Sequence, residues 1–115
     1  MDYSTYLPEI DVSGGVARVM NNEKLYFKLV GKFDGMKLKN DLTQAIEAKD
    51  TKAIIHVSHA LRGTAANLGF GVVHKVAGEI EDLCKSEENY DHLIPAINKA
   101  LDALEDAIGR LLKQA

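Results

Sequence analysis

From Ile94 to Leu111 the apolar residues fall at Ile94, Ile97, Leu101, Leu104, Ile108 and Leu111, three or four positions apart throughout. That spacing is the seam of an amphipathic helix that packs against other helices. The same period recurs upstream. Val12, Val16 and Val19 fit a short first helix, and Leu25, Leu29 and Phe33 fit a second stripe. Leu38, Leu42 and Ile46 follow in a new phase, then Ile54, Val57, Leu61, Ala65 and Leu68, then Val72, Val73, Val76, Ile80, Leu83 and Cys84. No alternating apolar segment of any length competes with this pattern. Helices that each carry one apolar face bury it on one another. The expected fold is therefore all-α, an up-and-down antiparallel four-helix bundle with an additional short N-terminal helix, in one domain over residues 1–115.

Helix punctuation agrees with the stripes. Ser13 is placed to cap the first helix and Asn21 or Asn22 the second. The phase change at Asp34-Gly35 means either a kinked long helix or two helices. Asp50 or Thr51 opens the next element, and Gly69 is the expected residue just past its end. "SEENYD" reads as a loop, and Pro95 falls in a first turn, where a missing N–H does no harm.

Composition removes several function classes. With 46% hydrophobic and 27% charged residues, the chain is neither disordered nor membrane-like. No run approaches the ~18 apolar residues of a bilayer span, and "MDYSTYLPEIDV" lacks a basic stretch followed by an apolar one, so a secretory signal is not expected. The net charge of −3 without a basic stripe argues against nucleic acid as a partner. A single cysteine, Cys84, excludes an internal disulfide and fits a reducing compartment, so the cytoplasm is the expected location. Cys84 is in register with Ile80 and belongs in the core.

The central helix carries the chemistry. At ~100° per residue its apolar residues cluster on one side and His59 points almost directly opposite. His56 lies one turn before it, Arg62 and Gly63 one turn after, and Ala66 and Asn67 a further turn on. Glycine in a helix interior costs about 1 kcal/mol relative to alanine, so Gly63 implies that something bulky approaches closely there. Arg62 offers charge-assisted hydrogen bonds to an anion bound near His59.

By default an exposed helical histidine is only a solvated side chain, and His74 and His92 are read that way. His56 and His59 lack further ligands at motif spacing, so no metal is assigned. "GFGVVH" has no preceding strand and lacks the third glycine of a dinucleotide fingerprint. The cluster Glu79, Glu81, Asp82, Glu87 and Glu88 reads as a solvated acidic face.

"SHALRGTAANLGF" resembles the motif of histidine-containing phosphotransfer (HPt) domains: His, any residue, Leu, Lys or Arg, Gly, several small residues, then Leu-Gly. His59, Leu61, Arg62, Gly63, Thr64, Ala65, Leu68 and Gly69 fill those places, with arginine where lysine is commoner. "LYFKLVGKF" and "IEAKDTKAIIHVSHALRG" are also similar to the family's segments upstream of its histidine. The resemblance implies a phosphorelay intermediate that needs no cofactor and has no ATP site of its own. His59 would carry the phosphoryl group, on Nε2, and Arg62 would balance its charge. His56, Ala60, Gly63, Ala66, Asn67 and Phe70 would surround the docking site. The implied partners are the receiver domains of a hybrid sensor kinase and of a response regulator, with the carrier a monomer. Phe70 after Gly69 is also similar to the phosphoacceptor domain of chemotaxis kinases, which is phosphorylated by an ATP-using catalytic domain. An initiator-like Met1 and a chain that closes in its last helix favour a free-standing protein. A helical interaction module with an incidental histidine is the alternative from another class.

Overall fold

The computed structural model describes residues 2–114; Met1 and Ala115 of the expected domain lie outside them. The helices are α1 (Val12–Arg18), α2 (Glu23–Lys32), α3 (Gly35–Glu47), α4 (Thr51–Leu68), α5 (Gly71–Lys85) and α6 (Ile94–Gln114). Short 3-10 turns occupy Ser4–Tyr6 and Asp91–Leu93. No strand occurs among the described residues.

Four helices begin in the same way. The third backbone N–H of each donates to a side-chain oxygen just ahead of the helix: Gly14 to Asp11 (3.1 Å), Leu25 to Asn22 (3.0 Å), Lys37 to Asp34 (3.0 Å) and Ala53 to Asp50 (3.2 Å). Each such cap is worth about 1 kcal/mol. Asp11, not Ser13, caps α1, because Ser13 already lies inside the helix. The Asp34 cap also decides between the two readings of the phase change. There are two helices, α2 and α3, not one kinked helix.

α3 packs on α4, α4 on α5, α5 on α6 and α6 back on α3, so four helices enclose the core. The contact between α4 and α5 is the most extensive. Ile54, Val57, Leu61, Ala65 and Leu68 of α4 are all buried, as their spacing predicts. They meet Val73, Ala77, Ile80 and Cys84 of α5 and Ile97, Leu101, Leu104 and Leu111 of α6 in one cluster.

α2 departs from expectation. Tyr26 and Val30 face the core, whereas Leu25 is 40% exposed and Leu29 and Phe33 are only partly buried. The Tyr26 hydroxyl sets this rotation by donating to the Leu68 carbonyl at the end of α4 (2.6 Å). Burial pushes the hydroxyl's pKa well above its ordinary value, so it remains a donor. Gly69 then ends α4 with φ +82°, and the Asp11 carbonyl occupies the space its Cβ would need. The Asp11 N–H donates to the Gly69 carbonyl (2.7 Å), which ties the N-terminal segment to that end of α4. Tyr6 and Ile10, upstream of the helices, are buried as well.

Phe70 needs a second correction. It is fully buried, edge-on to Phe33 with ring centroids 5.1 Å apart, and offers nothing to a docking partner. An aromatic ring between two helix ends buries more apolar surface inward than it would at a solvated corner.

Candidate functional site

α4 presents two sides to solvent on either side of His59. The imidazole itself stands out from the helix, its side chain 73% exposed. On the side away from α5 lie His56, Ala60, Gly63 and Asn67, all exposed. A Cβ added at Gly63 would meet nothing within 4 Å. The close approach that Gly63 permits is therefore not made within this chain. Next to these residues Thr64, Asn67 and Leu68 join Leu29 and Lys32 of α2, and Phe33 just past its end, to line an open groove. Ala66, also expected at the site, is half-buried.

The side toward α5 is closed and charged. Glu81 is 1% exposed, yet its carboxylate is fully partnered. Oε2 accepts from His59 Nδ1 (2.9 Å) and from Lys85 Nζ (2.8 Å), and Oε1 accepts from Arg62 Nη1 (3.3 Å). The Lys85 hydrogen bond most of all, with those of His59 and Arg62, holds the Glu81 pKa below its ordinary 4.5 despite burial. Glu81 is thus ionised at neutral pH, and an ionised carboxylate can only accept. His59 Nδ1 must then be the ring nitrogen that carries hydrogen when the ring is neutral. Nε2 keeps its lone pair and points away from Glu81, toward solvent.

Arg62 is not simply a cation beside His59. Its guanidinium also reaches Asp82 Oδ1 (3.3 Å) and lies across Gly78, whose missing Cβ leaves room for Nε and Cζ. Behind it, His74 is half-buried with Nδ1 3.0 Å from the Arg62 carbonyl, a correction to its reading as a surface residue. His92 is exposed, as expected.

Glu81, which bonds His59 and Arg62, is the residue the acidic-face reading missed. Glu79, Asp82, Glu87 and Glu88 are indeed exposed, but Glu81 is not. It lies four residues after Ala77 and three before Cys84, within the buried stripe of α5. A carboxylate at a core position requires cationic or hydrogen-bonding partners, which was the available signal. Among the described residues no group of three or more His, Cys, Asp or Glu side chains is placed to hold a metal ion, and no helix is long and apolar enough to cross a membrane.

The Hpt domain family model matches residues 34–114, a span that includes His59, Arg62, Glu81 and Lys85. The chain belongs to the Hpt domain family. Hpt domains serve histidine phosphotransfer in two-component phosphorelays. It is 38% identical over 48 residues to the phosphorelay intermediate protein rdeA of Dictyostelium discoideum. That match covers 42% of this chain and only 19% of the relative. Two solved structures share the fold at 18% identity. The HPT domain of a sensor hybrid histidine kinase from Shewanella aligns over 93% of this chain and 96% of its own, with a TM-score of 0.80. Histidine-containing phosphotransfer protein B from Pseudomonas aeruginosa aligns over 95% and 98%, with a TM-score of 0.82.

Proposed function

We propose that this Hpt chain is a single-domain phosphorelay carrier. It accepts a phosphoryl group on His59 from a receiver-domain aspartate of a hybrid sensor kinase and passes it to an aspartate of a response regulator. The observation that carries this reading is an exposed imidazole whose Nδ1–H is held by a buried, ionised carboxylate.

The Nε2 lone pair attacks phosphorus as the P–O bond of the aspartyl phosphate breaks, and the leaving carboxylate keeps that electron pair. The ring gains positive charge and retains its Nδ1 proton, which Glu81 stabilises. In the return step a carboxylate oxygen of the response-regulator aspartate attacks phosphorus as the P–N bond breaks, and the imidazole leaves neutral, again with hydrogen on Nδ1. Phosphoryl transfer demands alignment and charge compensation above all. Arg62 supplies part of the compensation from its place over Gly78. The donor is already an activated anhydride, so we assign the chain no nucleotide chemistry and no metal of its own; a receiver would bring its Mg²⁺ and lysine.

Docking falls on the open side of α4. Ala60 and Gly63 let a receiver's loops reach the helix backbone, flanked by His56, Ala66 and Asn67. Phe70 is a core residue and is left out of the docking face. A monomeric carrier in the cytoplasm fits this chemistry, because both donor and acceptor must dock on the same face in turn.

The test is transfer from a phosphorylated receiver domain to the wild type and to His59→Gln. The wild type should gain acid-labile, base-stable label and His59→Gln none. Because the side chain is exposed and Glu81 keeps Arg62 and Lys85, melting should change by only a few degrees, on the order of a surface substitution. Full labelling of His59→Gln would refute the site.

A further inference from the structure

Lys85 and His59 share one oxygen atom. The ammonium and Nδ1 both bond to Glu81 Oε2, at 2.8 and 2.9 Å. The ammonium is therefore no farther from the ring nitrogen than those two distances laid end to end. A Glu–Lys pair four residues apart on an exposed helix is ordinarily a weak surface contact. Here the glutamate is buried and is also the group that holds the imidazole, so the pair is connected to His59.

The three donors on Glu81 are not equally free to leave. His59 loses its orientation if Nδ1 lets go. Arg62 is bound to two carboxylates and lies against Gly78. Lys85 has one partner, a flexible stem and a side chain that is 55% exposed. If it leaves, Oε2 still accepts from Nδ1 and Oε1 from Arg62, so the buried carboxylate is not stranded. A phosphoryl group on Nε2 adds negative charge next to a buried anion, and it favours recruitment of the one mobile cation.

We propose that Lys85 is a second phosphoryl-binding cation. It rests on Glu81 while His59 is free and turns to the phosphoryl oxygens when His59 is loaded. On leaving Oε2 it restores the full carboxylate charge to Nδ1–H at the moment the ring becomes positive. No bond is made or broken by Lys85, and no proton moves to or from it. The inference rests on the phosphocarrier reading of His59.

The experiment compares wild type, Lys85→Gln and Lys85→Arg in two measurements. The first is the rate of His59 labelling by phosphoramidate, a small donor that needs no docking. Lys85→Gln should label on the order of ten-fold more slowly, with Lys85→Arg close to wild type. The second is the ³¹P NMR signal of the loaded protein. A cation on the phosphoryl oxygens should give wild type and Lys85→Arg similar shifts and move that of Lys85→Gln. A Lys85→Gln protein that labels at the wild-type rate, or whose loaded ³¹P signal matches wild type, overturns the proposal. A wild type that takes no label on His59 overturns the phosphocarrier reading instead, and with it the destination assigned to Lys85.

Discussion

Gly63 and Gly78 face opposite fates across His59. Gly63 on α4 looks into empty space, with nothing within 4 Å of where its Cβ would stand. Gly78 on α5 lies under Arg62, whose Nε, Cδ and Cζ fall 3.2–3.4 Å from the corresponding point. One glycine leaves room for a partner and the other for a side chain of the same chain. The two sides of the histidine are thus specialised. The side toward α5 sets the imidazole's hydrogen and the local charge, and the side toward α2 is open, the face proposed to receive a second protein.

Substitution at the two glycines should test that contrast most sharply. Gly63→Leu should abolish labelling by a phosphorylated receiver while leaving phosphoramidate labelling of His59 intact, because only the receiver must approach the helix backbone. Gly78→Val should instead displace Arg62, slow both kinds of labelling, and destabilise the α4–α5 contact by about 1–3 kcal/mol. Parallel receiver and phosphoramidate assays, with a melt of each variant, read both outcomes. Equal loss of the two labels in Gly63→Leu would place that glycine on the same footing as Gly78.

Acid should reveal the closed side next. The Glu81 pKa is lowered in the fold, so its contribution to stability is complete above its ordinary value of 4.5 and is lost as pH falls through the folded value. Glu81→Gln has no such group. Urea melts of wild type and Glu81→Gln should therefore differ most near neutrality and converge as pH is lowered below about 4.5. A gap that stays constant down to pH ~2 would mean that the Glu81 charge does not contribute.

The smallest effect belongs to Gly63→Ala. With open space at the site, alanine should stabilise α4 by about 0.5–1 kcal/mol, which urea melts resolve. A loss of stability would show that position 63 is not open.

Sequence alone made different parts of the molecule legible to different degrees. α4 and α6 were readable because each has one unambiguous apolar stripe, with an Asp50 cap and a Gly69 stop around α4 and Pro95 at the start of α6. α2 offers two overlapping stripes, Leu25–Leu29–Phe33 and Tyr26–Val30. The choice is made by the Tyr26 hydrogen bond to Leu68, 42 residues away, which no local pattern contains. The exposed position of His59 followed from its angle on α4, and its partner did not. Glu81 shares its short run of charge with Glu79 and Asp82 but differs from them by one helical face, and burial on that face changes its chemistry. Phe70 was misplaced because sequence adjacency to Gly69 says nothing about which way a ring turns at a helix junction.

In the proposed transfer Glu81 keeps hydrogen on Nδ1 and leaves Nε2 to take the phosphoryl group. Long-range proton–nitrogen NMR of ¹⁵N-histidine-labelled protein, recorded near pH 8 before and after phosphoramidate treatment, tests it directly. The neutral His59 ring should show hydrogen on Nδ1 alone, and phosphorus coupling should then appear on Nε2. Hydrogen on Nε2 in the free protein, or phosphorus on Nδ1 in the loaded one, would contradict the account.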